Sequence, residues 1–211
     1  MDILSLLLGW LLGLLGSPIS ERIKRYYQKN DVRCGIISEL NEIKVRLAMM
    51  VYQLTMKVGT FDKQLLEWEK KQLEGYKGDD QTIKNVLLGL EKFSGQTDDK
   101  QLATVQLLTL NKERPYSLKK FYLPFLESRI DSLAIFGEKF RRLIFETRSK
   151  IQLLNDEVDN AQFYYRKTFD SSMSRENHEI VRQNLESCHK NINNQAKLIV
   201  EKINDLISCE N

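Results

Sequence analysis

The sequence predicts an all-α protein: an N-terminal hydrophobic helix followed by an elongated antiparallel bundle of long heptad-patterned helices, with a small helical insertion. Three observations carry that expectation. Apolar residues recur at alternating spacings of four and three over long stretches, and no stretch alternates apolar and polar residues as a half-buried strand does. Only three prolines and ten glycines interrupt 211 residues. Charged residues make up 29%, and the abundant Leu, Ile, Lys, Glu and Gln are good helix formers. The length suits one domain with a substantial core, or one domain plus an anchor.

The first element is the stretch LSLLLGWLLGLLGSP at positions 4–18. A secretory signal peptide would begin with basic residues and end in small ones. This segment begins with Asp2, has no Lys or Arg ahead of its apolar run, and places Pro18 at its end. A buried core helix competes at this length, but the run has no polar face. Counted through Ile19, it would supply about 25 Å of helix against a hydrocarbon layer of about 30 Å. The expectation is an uncleaved membrane helix over 1–17. Ser5, Gly9, Gly13 and Ser17 fall at every fourth position, so they line one face along which two backbones approach closely in lipid. Self-association into a homo-oligomer follows from that face.

Charge supports the same reading. Residues 1–16 carry only Asp2, residues 17–58 hold eight Lys/Arg against four Asp/Glu, and residues 59–211 hold 24 of each. The positive excess therefore sits directly after the apolar run. Arg22, Lys24, Arg25, Lys29 and Arg33 follow that run and none precedes it. The positive-inside rule then places the bulk of the chain in the cytoplasm and the N-terminus outside, in an inner or plasma membrane. Arg22, Lys24, Arg25, Tyr26, Tyr27 and Lys29 are expected at the membrane interface. Cys34, Cys188 and Cys209 form no CxxC and no even framework, which suits a reducing compartment.

The remaining elements follow in order. Ser17 and Pro18 look like the cap and first residue of a new helix, or a kink. Ile36, Leu40, Ile43, Leu47, Met50 and Leu54 mark one face of a helix ending near position 58, with the polar QKND at 28–31 as a break or a solvated stretch. Gly59 and Thr60 read as stop and cap, and a return helix covers about 61–73. These make up an 18–75 unit of juxtamembrane basic helix and return helix. Between 76 and 117, KGDD and SGQTDD punctuate two short helices near 83–93 and 102–110, a small insertion that Pro115 closes. Residues 118–211 should supply two long antiparallel helices. The first starts at Pro124 and carries Leu126, Ile130, Leu133, Gly137, Phe140, Ile144, Thr147, Ile151, Leu154, Val158, Ala161 and Tyr165 on one face, over about 65 Å. The second follows SSMS at 171–174 and carries Val181, Leu185, Cys188, Ile192, Ala196, Ile199, Ile203 and Leu206, with one stutter. A short linker makes the two antiparallel.

Chemistry is sparse. No glycine-rich phosphate loop, HExxH, GxSxG or CxxC occurs. His178 and His189 lack the carboxylate or thiol company of a metal site, so no metal and no cofactor is expected. Cys188 lies on an apolar stripe and reads as a buried, inert thiol. Arg182 and His189, with six residues between, resemble the Arg-x4–6-His pattern of HEPN ribonucleases, which are all-helical. The resemblance spans eight residues and the fold class, and Gln183 departs from the Asn, Asp or His that family places after Arg. It would imply His189 acting on a ribose hydroxyl and Arg182 bracing a phosphate. Against it stands the reading of both as solvated surface residues. Phe163, Tyr164, Tyr165, Arg166 and Lys167, and the run Lys119, Lys120, Phe121 and Tyr122, could stack bases. Zero net charge over 59–211 favours bundle packing instead, and nucleic acid is not an expected partner. The expected protein is not an enzyme. It is a membrane-anchored, self-associating effector, pore-forming or permeabilising, whose partners are the bilayer, copies of itself and a protein docked on the bundle. In plan it is similar to small membrane accessory proteins of RNA-guided immune systems and to bundle-type pore formers. A membrane-tethered nuclease and a plain anchored scaffold are the alternatives.

Overall fold

The computed structural model describes residues 3–58, 62–74, 76, 78–96, 99–101, 103 and 118–209, the side chains of 3–9 and 11–19 excepted. All regular structure among these residues is helical. Helix α1 spans Ile3–Val58, α2 Lys63–Leu73, α3 Gln81–Ser94 and α4 Pro124–Ser128. A 3-10 turn over Ile130–Ile135 leads into α5, Glu138–Lys167, and α6 spans Arg175–Ser208.

Helix α1 is one unbroken element of 56 residues. The new helix or kink expected at Ser17–Pro18 does not occur, and of the two readings of 28–31 the structure shows the solvated stretch of one long helix. A proline inside a helix removes one backbone hydrogen bond, and the helix continues on either side of Pro18 all the same. Residues 20–31 are all exposed, and burial begins at Val32. From there the expected stripe is the core face: Ile36, Leu40, Ile43, Leu47, Met50 and Leu54 are all buried. Gly59 and Thr60 lie outside the described residues. The cap that starts α2 is Asp62, whose side chain accepts a hydrogen bond from the Leu65 backbone N–H at 2.7 Å. Asp80 caps α3 in the same way, accepting from Thr82 at 2.8 Å. The expected helix near 83–93 is thus present as α3, whereas the one near 102–110 lies outside the described residues, as does Pro115.

The single long helix expected from Pro124 is corrected to three pieces. Its apolar repeat passes through without a slip, but the backbone turns at Arg129 and again at Phe136 and Gly137, where Phe136 is extended. Periodicity records which side chains face the core; it does not record whether the backbone between them stays helical. Leu126, Leu133, Ile144, Thr147, Ile151, Leu154, Val158 and Ala161 are buried all the same, and Tyr165 is exposed. Two contacts from α1 seat the first piece. The Glu39 carboxylate accepts hydrogen bonds from the backbone N–H groups of Phe125 and Leu126 at 2.7 and 2.9 Å. The Phe125 ring lies against Gly35, in the space a Cβ there would fill.

Before α4, residues 118–123 form an extended strap along α5. The Asn155 side chain pairs with both backbone groups of Phe121, accepting at 2.9 Å and donating at 2.7 Å. Gln162 donates to the Leu118 carbonyl at 2.9 Å, and Lys120 meets Asp159 at 2.6 Å. The aromatic-basic run at 119–122 is therefore part of this strap, with Phe121 packed on the core and Tyr122 exposed.

Helices α5 and α6 form the expected antiparallel hairpin, joined by a turn in which the Ser174 hydroxyl caps α6. Lys202 on α6 meets Glu146 on α5 at 2.9 Å. Arg33 lies over Phe140 at 5.6 Å and Lys57 over Tyr165 at 5.8 Å, so α1 runs parallel to α5 and antiparallel to α6. Asn193 on α6 reaches Thr55 on α1 at 3.4 Å, and Asn204 reaches Gln72 on α2 at 3.0 Å. One continuous core of Leu, Ile, Val and Met joins these helices. Among the described residues no helix is long and apolar enough to cross a membrane. The membrane helix expected over 1–17 thus gains no support from the fold. The side chains of Ser5, Gly9, Gly13 and Ser17, the expected association face, lie outside the described residues.

Candidate functional site

The exposed base of α1 gathers the interface residues that the sequence singles out. Ile23, Tyr26 and Tyr27 are all more than half exposed, and the two tyrosine rings meet edge to face at 5.9 Å. Arg22, Lys24, Arg25 and Lys29 stand in solvent beside them. Arg25 pairs with Glu21 one turn back at 3.7 Å, an exposed ion pair of little weight. Lys29 lies 5.9 Å from the Phe136 ring centroid, which ties this part of α1 to the segment after the 3-10 turn. A shallow cavity of about 310 Å³ opens there, lined by Arg22, Arg25, Tyr26, Gln28 and Lys29 from α1 and by Ile135 from the 3-10 turn. No sequence signal pointed to Ile135, because only the break in the backbone brings it to α1.

Arg182 and His189 do not form a shared exposed site. Arg182 is exposed, whereas His189 is buried at 5% exposure, which corrects the expectation that both are solvated. Burial, reinforced by the positive charge of Lys57, lowers the His189 pKa to about 4, with Glu186 opposing. A neutral imidazole within the bundle has poor access to a polymer backbone. Cys188 beside it is buried as expected, and burial raises its thiol pKa. Among the described residues no group of His, Cys, Asp and Glu could hold a metal ion.

Pattern reading missed Glu69. It sits on the core face of α2 with Leu65, Leu66, Gln72 and Leu73, and it is fully buried. Neither carboxyl oxygen has a hydrogen-bond partner in the structure. Desolvation raises its pKa to about 9, only partly offset by the charge of Lys197 on α6. An unpaired carboxylate would be very costly there, so Glu69 is held as the neutral acid. The signal was available: a charged residue at the fourth and third steps of the 65–66–69–72–73 stripe.

An open groove of about 820 Å³ lies between α1 and the connection from α2 to α3. Its walls mix Ile37, Asn41 and Lys44 of α1 with Gln72, Glu74 and Tyr76. Desolvation lowers the Lys44 pKa. The free, exposed thiol of Cys34 also lines the groove.

Comparison with protein-family models, curated proteins and solved structures gives no match for this chain. The functional reading therefore rests on the chain's own residues.

Proposed function

We propose that this chain is a membrane-anchored, non-enzymatic helical module that self-associates. Its apolar opening enters the bilayer and its bundle lies on the cytoplasmic side as an effector or recruiting surface. The observation that carries this reading is the exposure of every residue from 20 to 31 on a helix that continues unbroken to Ile3. About 44 Å of α1 precedes Val32, the first residue the bundle buries. A basic and aromatic collar at the foot of such an extension is the chemistry that interfaces favour. The buried His189 speaks against the ribonuclease alternative, which needs that imidazole exposed beside Arg182.

Fractionation tests the anchor. Full-length protein should remain with membranes through carbonate and high-salt washes, and deletion of residues 2–17 should release it. A full-length chain that is soluble and monomeric without detergent would overturn the reading. Self-association is tested by the double substitution Gly9→Ile and Gly13→Ile, which should keep the protein in membranes while dissociating a cross-linked oligomer. Dye leakage from vesicles then separates a permeabilising effector from a scaffold.

A further inference from the structure

We propose that the cavity between the base of α1 and the 3-10 turn is a binding site for the phosphate of an anionic phospholipid, with Ile135 and Tyr26 resting against the adjoining acyl boundary. This inference rests on the membrane anchoring proposed above. Arg22, Arg25 and Lys29 follow one another at spacings of three and four, so they stand on one face of α1 and converge on the cavity of about 310 Å³. Glu21 is the acid nearest them on that face, held by Arg25 at 3.7 Å; Asp31 stands two residues beyond Lys29, on the opposite side of the helix. Three cations against one carboxylate leave the cavity positive. Arginine offers a planar fork of donors that matches phosphate oxygens, and the Lys29 ammonium adds a point charge.

The second wall identifies the phosphate as a lipid's. Leu133 and Phe136 anchor the 3-10 turn in the core, at 2% and 6% exposure. Between them Ile135 is held outward at 41% exposure, beside the basic residues. Tyr26 in the same lining is 70% exposed. A site for a free anion has no use for two exposed apolar groups in its lining. A headgroup presents phosphate and hydrocarbon side by side. Residues 22–29 cover about 10 Å of helix axis, comparable with the headgroup layer that flanks the hydrocarbon core.

The test is a competition between two vesicle populations of different density, one of phosphatidylcholine alone and one of phosphatidylcholine mixed with phosphatidylglycerol. Full-length protein is offered to both and its distribution is read after flotation. Each basic residue near an anionic surface contributes about fivefold, so the wild-type preference for the anionic vesicles should approach about a hundredfold at low salt. The triple substitution Arg22→Gln, Arg25→Gln and Lys29→Gln should cut the preference to the few-fold that Lys24 sustains while leaving the protein on vesicles. Ile135→Ser keeps every charge, so diffuse attraction predicts no change; the proposal predicts a several-fold loss of preference. A triple variant that retains the wild-type preference, or an Ile135→Ser variant indistinguishable from wild type, overturns the site. So does inorganic phosphate that erases the preference where chloride of equal ionic strength does not, because the site would then take the free anion. Protein that floats with neither population refutes the anchor instead, a distinct result.

Discussion

Residues 20–31 and residues 32–58 belong to the same unbroken helix, yet the first stretch is exposed throughout and the second buries a side chain at nearly every turn. Local composition accounts for part of the contrast: carried back from Ile36, the spacing of three and four meets Arg33, Lys29, Tyr26 and Arg22, so that only Tyr26 continues the apolar face. Company differs as well. Helix α5 begins at Glu138, close to where Arg33 meets Phe140, and α6 ends at Ser208. Beside residues 20–29 the described chain provides only the edge of the 3-10 turn. An apolar stripe becomes core where another element covers it, and an interaction surface where none does.

The largest test of this contrast is truncation in each half. Leu47→Ala, at a fully buried position, should destabilise the protein by about 2–5 kcal/mol in urea denaturation. Tyr26→Ala, at 70% exposure, should stay within about 0.5 kcal/mol. Equal losses in the two variants would mean that the base of α1 is packed against something in solution.

The junction between the halves comes next. Glu39→Ala removes both hydrogen bonds that hold the start of α4 and should cost about 2 kcal/mol. Gly35→Leu would drive a side chain into the Phe125 ring, with an overpacking cost of about 1–3 kcal/mol. Both changes should also speed proteolysis around 118–128. Unchanged cleavage there would show that the strap is held by α5 alone, through Asn155 and Gln162.

A pH series sharpens the comparison on the packed side. Glu69, with its pKa pushed up to about 9, keeps its proton in the folded chain, whereas the unfolded carboxyl ionises above its ordinary value of 4.5. The folded state then binds more protons, so stability falls as pH rises between those two values. His189 acts in the opposite sense: its pKa is lowered from 6.5 to about 4, so stability falls as pH drops through that interval. The two effects offset below 6.5, and above it Glu69 acts without His189. Wild type should therefore lose stability from pH 6.5 toward 9, by at most about 1.4 kcal/mol per pH unit. Glu69→Gln should flatten that decline. An equally steep decline in the Gln variant would assign it to other groups.

The smallest effect belongs to the exposed half again. Arg25→Ala breaks an ion pair whose side chains are 79% and 65% exposed, and the denaturation midpoint should not move measurably. A clear loss would place Arg25 in a folded-state contact rather than on a free surface.

Much of this architecture was legible in the sequence. Most positions of the stripes of α1, α5 and α6 are buried as expected, with Gly137 and Tyr165 exposed, and the turn at 171–174 and the burial of Cys188 were read as well. Helix periodicity is a local property, and burial follows it wherever a partner helix lies opposite. The break at Arg129–Gly137 was not legible, because its repeat of apolar residues survives the loss of helix. His189 was misread as surface because of its polarity, although it lies on the stripe's own spacing, four residues after Leu185 and three before Ile192. Glu69 was passed over as an ordinary charge on a charged helix. The backbone break depends on what stands across from a residue, which its neighbours in sequence do not encode, whereas the burial of Glu69 and His189 was legible in their spacing.

The chain's own pattern determined that it is helical, which faces of its long helices are apolar, and where its positive charge concentrates. Those features depend on backbone propensity and on side chains three and four residues apart, interactions that a helix contains within itself. Tertiary structure alone decided that α1 outruns its partners, that Ile135 stands beside Arg22, Arg25 and Lys29, and that Glu69 and His189 are held neutral. Exposure, cavity shape and the ionisation of a buried group depend on the distances between elements remote in sequence, and only packing sets those distances.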